Sequence, residues 1–233
     1  MSIIVPITVL LMFVSQISTF ESLSTFSAKV ERRFVEHHKE EFVKGTIYYQ
    51  APNKVVVEVD TPLEQVMAIT DKVTLIYYPN AKKAFRIKSK NPITPPFIQS
   101  IIGAMKADYG LTEAGYTMIK HERKEETLYT YWNPPSKMKK VLGIFIWGTV
   151  DNKIVYAETQ TPDGKSVARS FYRNHIKFED SYVPLEVFSE FNDEAGLTQE
   201  HVTYSDVKFN PDLPERIVNF KIPDSIPVKE VKW

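Results

Sequence analysis

The stretch KGTIYYQAPNKVVVEVDTPLEQVMAITDKVTLIYYPN, from Lys44 to Asn80, decides the fold. Its apolar runs are short and β-branched or aromatic: Ile47 to Tyr49, Val55 to Val59, Val66 to Ile69 and Val73 to Tyr78. Runs of this length and composition read as strands. Ala51-Pro52-Asn53, Asp60-Thr61-Pro62 and Thr70-Asp71-Lys72 separate them. Their Pro, Asn and Asp residues fix φ or bond their own backbone, so the chain doubles back at each one and a meander follows. Val55, Val57 and Val59 make one face wholly apolar, while Val56 and Glu58 occupy the other. That pattern belongs to an antiparallel sheet with one face covered and one face wet.

Toward the N-terminus, Glu40 to Gln50 reads as the preceding strand. Phe26 to Glu36 alternates as another, with Phe26, Ala28 and Val30 on one side and Lys29, Glu31 and Arg33 near the other; a first helix is the rival reading. His37 and His38 fall in the intervening turn, where adjacent side chains point in different directions and make a poor metal pair. Ile3 to Val14 is a mostly apolar run of twelve residues followed by Ser15, Ser18 and Thr19. It is shorter than the roughly 18 residues that span a bilayer and has the length of a signal-peptide core. Residues 1–20 are therefore expected to be a signal peptide and residues 21–233 a single domain. A buried first element is the alternative, since no Lys or Arg precedes the run and Pro6 interrupts it.

Past Asn80, Ala84 to Ile87 makes a further strand, and then the period changes. Thr94 is placed to cap a helix that begins at Pro95 and Pro96. Phe97, Ile98, Ile101, Ile102 and Met105 then form an apolar stripe on it. Such a stripe reads either as an ordinary helix plugging the sheet or, with Met105 and Gly103 in it, as an adaptable lid. Strands resume at Tyr116 to His121, Thr127 to Trp132, Val141 to Val150, Lys153 to Gln160, Ser166 to Phe178, Leu185 to Glu194 and Leu197 to Phe209. Asp163-Gly164 is a strong hairpin signal, and Asp151-Asn152 and Ala195-Gly196 are weaker ones. The expectation is a mainly β fold: an incomplete, half-open antiparallel barrel of about eleven strands, with a helical lid inserted after the sixth. Pro211, Pro214, Pro223 and Pro227 mark the tail as an extended edge segment.

Composition excludes more than it names. Lys plus Arg and Asp plus Glu both number 29, so no net field favours nucleic acid or an anionic surface. The chain has no cysteine, hence no disulfide, thiol nucleophile or lipidated N-terminal cysteine. The eight glycines fall into no phosphate-cradling spacing, and His121, His175 and His201 stand singly, so neither nucleotide nor metal is expected as a cofactor. No GxSxG, HExxH or paired-carboxylate pattern points to an enzyme. A sheet rich in Val, Tyr and Phe beneath an apolar helix describes a container for an apolar ligand. Its candidate wall is Val55, Val57, Ile76 and Tyr78, and its candidate lid is Phe97, Ile98, Ile101, Ile102 and Met105.

GTIYYQAP from Gly45, the Val strand, Thr61-Pro62 and DKVTLIYYPN from Asp71 together resemble the periplasmic outer-membrane lipoprotein carrier (LolA) family. DVKFN from Asp206 and FKIP from Phe220 are similar to its closing strand, and Pro95 to Lys106 falls where the family has its lid. The resemblance implies a periplasmic, monomeric carrier whose cavity receives lipoprotein acyl chains from an inner-membrane release transporter and passes them to an outer-membrane acceptor. A lipid-sensing regulatory module on the same half-barrel is the alternative it leaves open. One position departs from the pattern: where the family commonly has an Arg before the Pro of the first turn, this chain has Ala51, with Gln50 before it and Lys54 after.

Overall fold

The computed structural model describes residues 23–36, 39–70, 72–88, 103, 107–193 and 196–232. Its fourteen strands are β1 (Thr25–Glu36), β2 (Lys39–Gln50), β3 (Lys54–Thr61), β4 (Gln65–Ile69), β5 (Val73–Tyr78), β6 (Lys83–Lys88), β7 (Thr117–Lys124), β8 (Thr127–Asn133), β9 (Phe145–Val150), β10 (Lys153–Gln160), β11 (Ser166–Phe178), β12 (Ser181–Asp193), β13 (Gly196–Phe209) and β14 (Val228–Lys232). All lie in one sheet ordered β14-β6-β5-β4-β3-β2-β1-β13-β12-β11-β10-β9-β8-β7. Two antiparallel meanders, β1–β6 and β7–β13, thus meet at a single long-range seam between β1 and β13. The two edge strands do not pair with each other among the described residues, so the sheet is open.

Four expectations need correction. The strand count is fourteen rather than about eleven: every strand segment read from the sequence pairs in the sheet, and the tail supplies one more. The sheet is not wholly antiparallel, since β14 runs parallel to β6, with Val228 opposite Ala84. Strand β9 starts at Phe145 rather than Val141; residues 141–144 belong to the preceding loop, where Leu142 N–H donates to the Met138 carbonyl. The face bearing Val56 is not wet: Val56 is 1% exposed. The signal peptide, His37 and His38, and the lid residues Phe97, Ile98, Ile101, Ile102 and Met105 lie outside the described residues. Of the segment between β6 and β7, Gly103 and residues 107–116 are described, the latter opening on a short 3-10 turn at Ala107–Gly110.

Register explains which side chains share a face. Ala28 is opposite Ile47, Ile47 opposite Val57, Val57 opposite Met67, and Met67 opposite Ile76. Directly opposed residues point to the same side of a sheet, so these five define one face, called here the inner face. Its packed centre contains Phe26, Val30, Ile47, Val55, Val57, Val183, Val187 and Val202, each no more than 6% exposed. At the seam the Phe26 and Phe209 rings lie 5.6 Å apart, and Asn210 Oδ1 accepts from Ser24 N–H at 2.8 Å. Asp151 and Asn152 adopt φ of 48° and 62° between β9 and β10, the left-handed pair that a tight two-residue hairpin requires.

The tail covers the outer face. Helix α1 (Glu215–Val218) lays Ile217, 2% exposed, against Val56 and Ala68, with Leu213 and Phe220 beside it. Lys54 Nζ donates to the carbonyls of Ile217 and Val218 at 2.9 and 2.5 Å, and Arg216 pairs with Glu58 at 2.8 Å. Burial lowers the Lys54 pKa from its usual value. Lys54 shares a face with Val56 and Glu58, so it is committed to the tail.

Two measurements check this arrangement. Ile217→Ala should destabilise the protein by about 2–5 kcal/mol in denaturant unfolding, the range for truncating a buried aliphatic side chain. Arg216→Ala, which breaks an exposed pair, should cost less than about 1 kcal/mol; the reverse order would mean that charge, not burial, docks the tail. His175 donates from Nε2 to the Ile154 carbonyl at 2.7 Å, and burial holds its pKa below the ordinary 6.5. The unfolded chain therefore binds the proton more readily, so stability from this group is complete above about pH 6.5 and is lost as pH falls below it. The melting temperature should drop through that window, and His175→Gln should flatten the drop.

Candidate functional site

The four predicted wall residues come together on the inner face. Val55 and Val57 are 6% and 1% exposed, inside the packed centre. Ile76 and Tyr78 lie farther toward the β6 edge and keep part of their surface, as do Met67 and Phe85. Ile76 is opposite Phe85, and the Tyr78 and Phe85 rings meet edge to face at 6.1 Å. The apolar surface thus begins as close-packed core at β1–β3 and continues outward as half-exposed wall.

The other half of the inner face was not singled out from sequence. Trp132, Trp147, Ile154 and Leu111 form a second apolar cluster, flanked by Tyr109, Tyr116, Phe145 and Tyr172. Tyr109 and Tyr172 also pack against the first cluster and so join the two. Tyr109 comes from the 3-10 turn, where Asp108 and Tyr109 have φ of 44° and 56°. Left-handed backbone is costly for an aromatic residue, so packing holds it there. Its ring stands edge-on to Trp147 at 4.2 Å and to Tyr172 at 6.2 Å. Gly103 sits against the same ring: a Cβ there would lie 3.3 Å from Tyr109 Cδ1.

A row of register partners crosses this ground and turns polar at its far end. Trp147 is opposite Ala157, Ala157 opposite Ser170, Ser170 opposite Ser189, and Ser189 opposite Glu200. Ser170 and Ser189 share a hydrogen bond of 2.8 Å. Arg32 Nε–H donates to Glu200 Oε1 at 2.5 Å, with Glu200 only 4% exposed and Arg32 17%. Beside this row lie Tyr172, Val187 and Val202, likewise in register and apolar. Burial pushes the Tyr172 hydroxyl up to about 12, and raises that of Tyr109 well above its usual value, so both stay protonated donors at neutral pH. Strand alternation alone does not reveal the row, because Ser170, Ser189 and Glu200 read as solvent-facing until register places them beside the core.

Among the described residues no three His, Asp or Glu side chains gather as a metal site, and no helix is long and apolar enough to cross a membrane. The described inner face offers apolar contact, hydrogen-bond donors and the Arg32–Glu200 ion pair. Breaking the ion pair leaves an uncompensated buried charge, so Arg32→Leu and Glu200→Leu should each cost about 3–5 kcal/mol in chemical unfolding. The double replacement should cost less than either single; equal or additive losses would show that the two side chains act independently.

No protein-family profile matches the sequence, and no curated protein is similar to it. Solved structures are similar in fold. A LolA superfamily protein from Nitrosomonas europaea aligns with TM-score 0.57 at 16% identity, covering 84% of this chain and 90% of that one. A protein domain assigned to outer-membrane lipoprotein sorting, from Vibrio parahaemolyticus, aligns with TM-score 0.60 at 15% identity, covering 84% and 89%. A DUF1329 family protein from Desulfovibrio piger aligns with TM-score 0.60 at 10% identity, covering 84% and 90%. With one open sheet among the described residues and alignment over most of both chains, the protein has the LolA-like fold.

Proposed function

We propose that the protein is a periplasmic carrier that binds lipid or lipoprotein acyl chains on the inner face of its sheet and hands them on without bond chemistry. The observation that carries this reading is the inner face itself. Its apolar surface does not stop at the packed centre but runs on through Met67, Ile76, Tyr78 and Phe85, which stay partly exposed among the described residues. An apolar wall left open in this way is a place for a ligand. Val55 and Val57 form its floor, and Phe97, Ile98, Ile101, Ile102 and Met105 are the proposed lid.

Magnitudes favour a stable complex. Each buried CH₂ contributes about 0.8 kcal/mol, so a chain of roughly 16 carbons supplies on the order of 10 kcal/mol before ordering costs. That suffices for μM binding or tighter. Delivery then requires a docking partner that opens the site. An inner-membrane release transporter would load it and an outer-membrane acceptor would empty it.

The expected result is μM or tighter binding of a fluorescent fatty acyl probe to the purified protein. Ile76→Glu should weaken it at least tenfold while melting within a few degrees of the natural protein, because Ile76 is wall rather than packed centre. Val57→Glu, by contrast, should collapse the melting transition, since a lone carboxylate would be buried at a 1% exposed site. Unchanged probe binding by Ile76→Glu would remove this face as the lipid site.

A further inference from the structure

Two buried hydrogen-bond donors on the inner face have no partner among the described residues: the Tyr109 hydroxyl and the Trp147 indole N–H. Buried polar groups are almost always satisfied, and each one left unpaired is destabilising. Here two occur on side chains in direct contact, with ring centroids 4.2 Å apart. The neighbouring tryptophan is treated differently: Trp132 Nε1–H donates to Thr130 Oγ1 at 2.9 Å. The orphaned pair is therefore local and not a general property of the aromatic cluster.

Three features make this a place for a ligand atom rather than a packing defect. Trp147 is 9% exposed and stands in register, across Ala157, from the hydrogen-bonded pair Ser170 and Ser189. Tyr109 is held at φ 56°, a conformation that a bulky side chain adopts only under constraint. Tyr109 packs against both apolar clusters, and the row that starts at Trp147 turns polar two strands on, at Ser170 and Ser189, so the pair borders the boundary that the head of an acyl chain would straddle. An O–H and an indole N–H can only donate to a group that brings acceptors, and a carbonyl oxygen with two lone pairs can take both.

We propose that Tyr109 Oη–H and Trp147 Nε1–H form a carbonyl-binding site for the ester or amide group at the head of a bound acyl chain. The site rests on the carrier reading and sharpens it: the apolar face holds the chain, and the donor pair fixes how far the chain enters. A saturated hydrocarbon offers these donors nothing, so the site selects acyl over alkyl chains. The same unpaired donors make the empty protein less stable than it would be with an apolar surface there.

The test compares palmitoyl lysophosphatidylcholine, which carries an ester carbonyl, with its 1-O-hexadecyl ether analogue, which has none. Binding to the natural protein, Tyr109→Phe and Trp147→Phe is measured by calorimetry, alongside thermal melting. The natural protein should prefer the ester about tenfold. Tyr109→Phe should lose most of that preference by weakening ester binding alone, and should melt at or above the natural temperature because an unsatisfied hydroxyl is gone. Trp147→Phe should lose the preference too. Equal binding of both lipids by the natural protein would overturn the donor site while leaving the carrier reading intact. So would Tyr109→Phe that melts lower with its preference unchanged, the signature of a hydroxyl satisfied by a buried water. Failure of the natural protein to bind either lipid would overturn the carrier reading and the donor site with it.

Discussion

The structure depends on the pairing of β1 with β13. Without that seam the chain is two meanders, each with an exposed edge and half an apolar face. With it, Phe26 meets Phe209, Val30 meets Tyr204, and the valines of β2 and β3 join those of β12 and β13 in one buried cluster. The seam is expensive in chain entropy because it joins the two ends of the domain, and pairing of such high sequence separation slows folding. Its compensation is burial: Phe26, Ala28 and Val30 are each at most 1% exposed. Asn210 and Thr25 extend the pairing past the strand ends, with Asn210 N–H donating to the Thr25 carbonyl at 2.8 Å.

From that seam the two faces take different work. The outer face over β2–β5 is closed by the tail, whose Ile217 fills the space against Val56 and Ala68. Among the described residues the inner face grades from core into wall toward β6, and through Glu200, Ser189 and Ser170 into an aromatic cluster toward β9. A sheet with both faces sealed would be only a scaffold. Among the described residues one face is sealed by the tail and the other keeps partly exposed apolar side chains, and this arrangement is built on the LolA-like fold.

Much of this was legible in the sequence where the signal was local. Strand alternation places Val55, Val57 and Val59 together, and the Pro, Asn and Asp turns mark β2 to β5 within a residue or two. Asp151-Asn152 reads as a hairpin because its residue types tolerate the left-handed backbone it adopts. What was not legible depends on pairing. Val56 beside Glu58 looks solvent-facing until a segment more than 150 residues away lies on it. Ser170, Ser189 and Glu200 look like surface until register lines them up, and nothing local to Tyr109 announces that it will bridge two clusters. The parallel β14 was hidden by prolines that correctly indicate an edge but not its direction.

Native mass spectrometry of the protein isolated from the cells that make it tests most directly whether the inner face carries the proposed acyl ligand. The expected spectrum contains the polypeptide mass plus adducts that dissociate as acylated lipid or lipopeptide, and that diminish in Ile76→Glu. A spectrum of the bare polypeptide alone, unchanged after incubation with acylated lipid, would contradict the account.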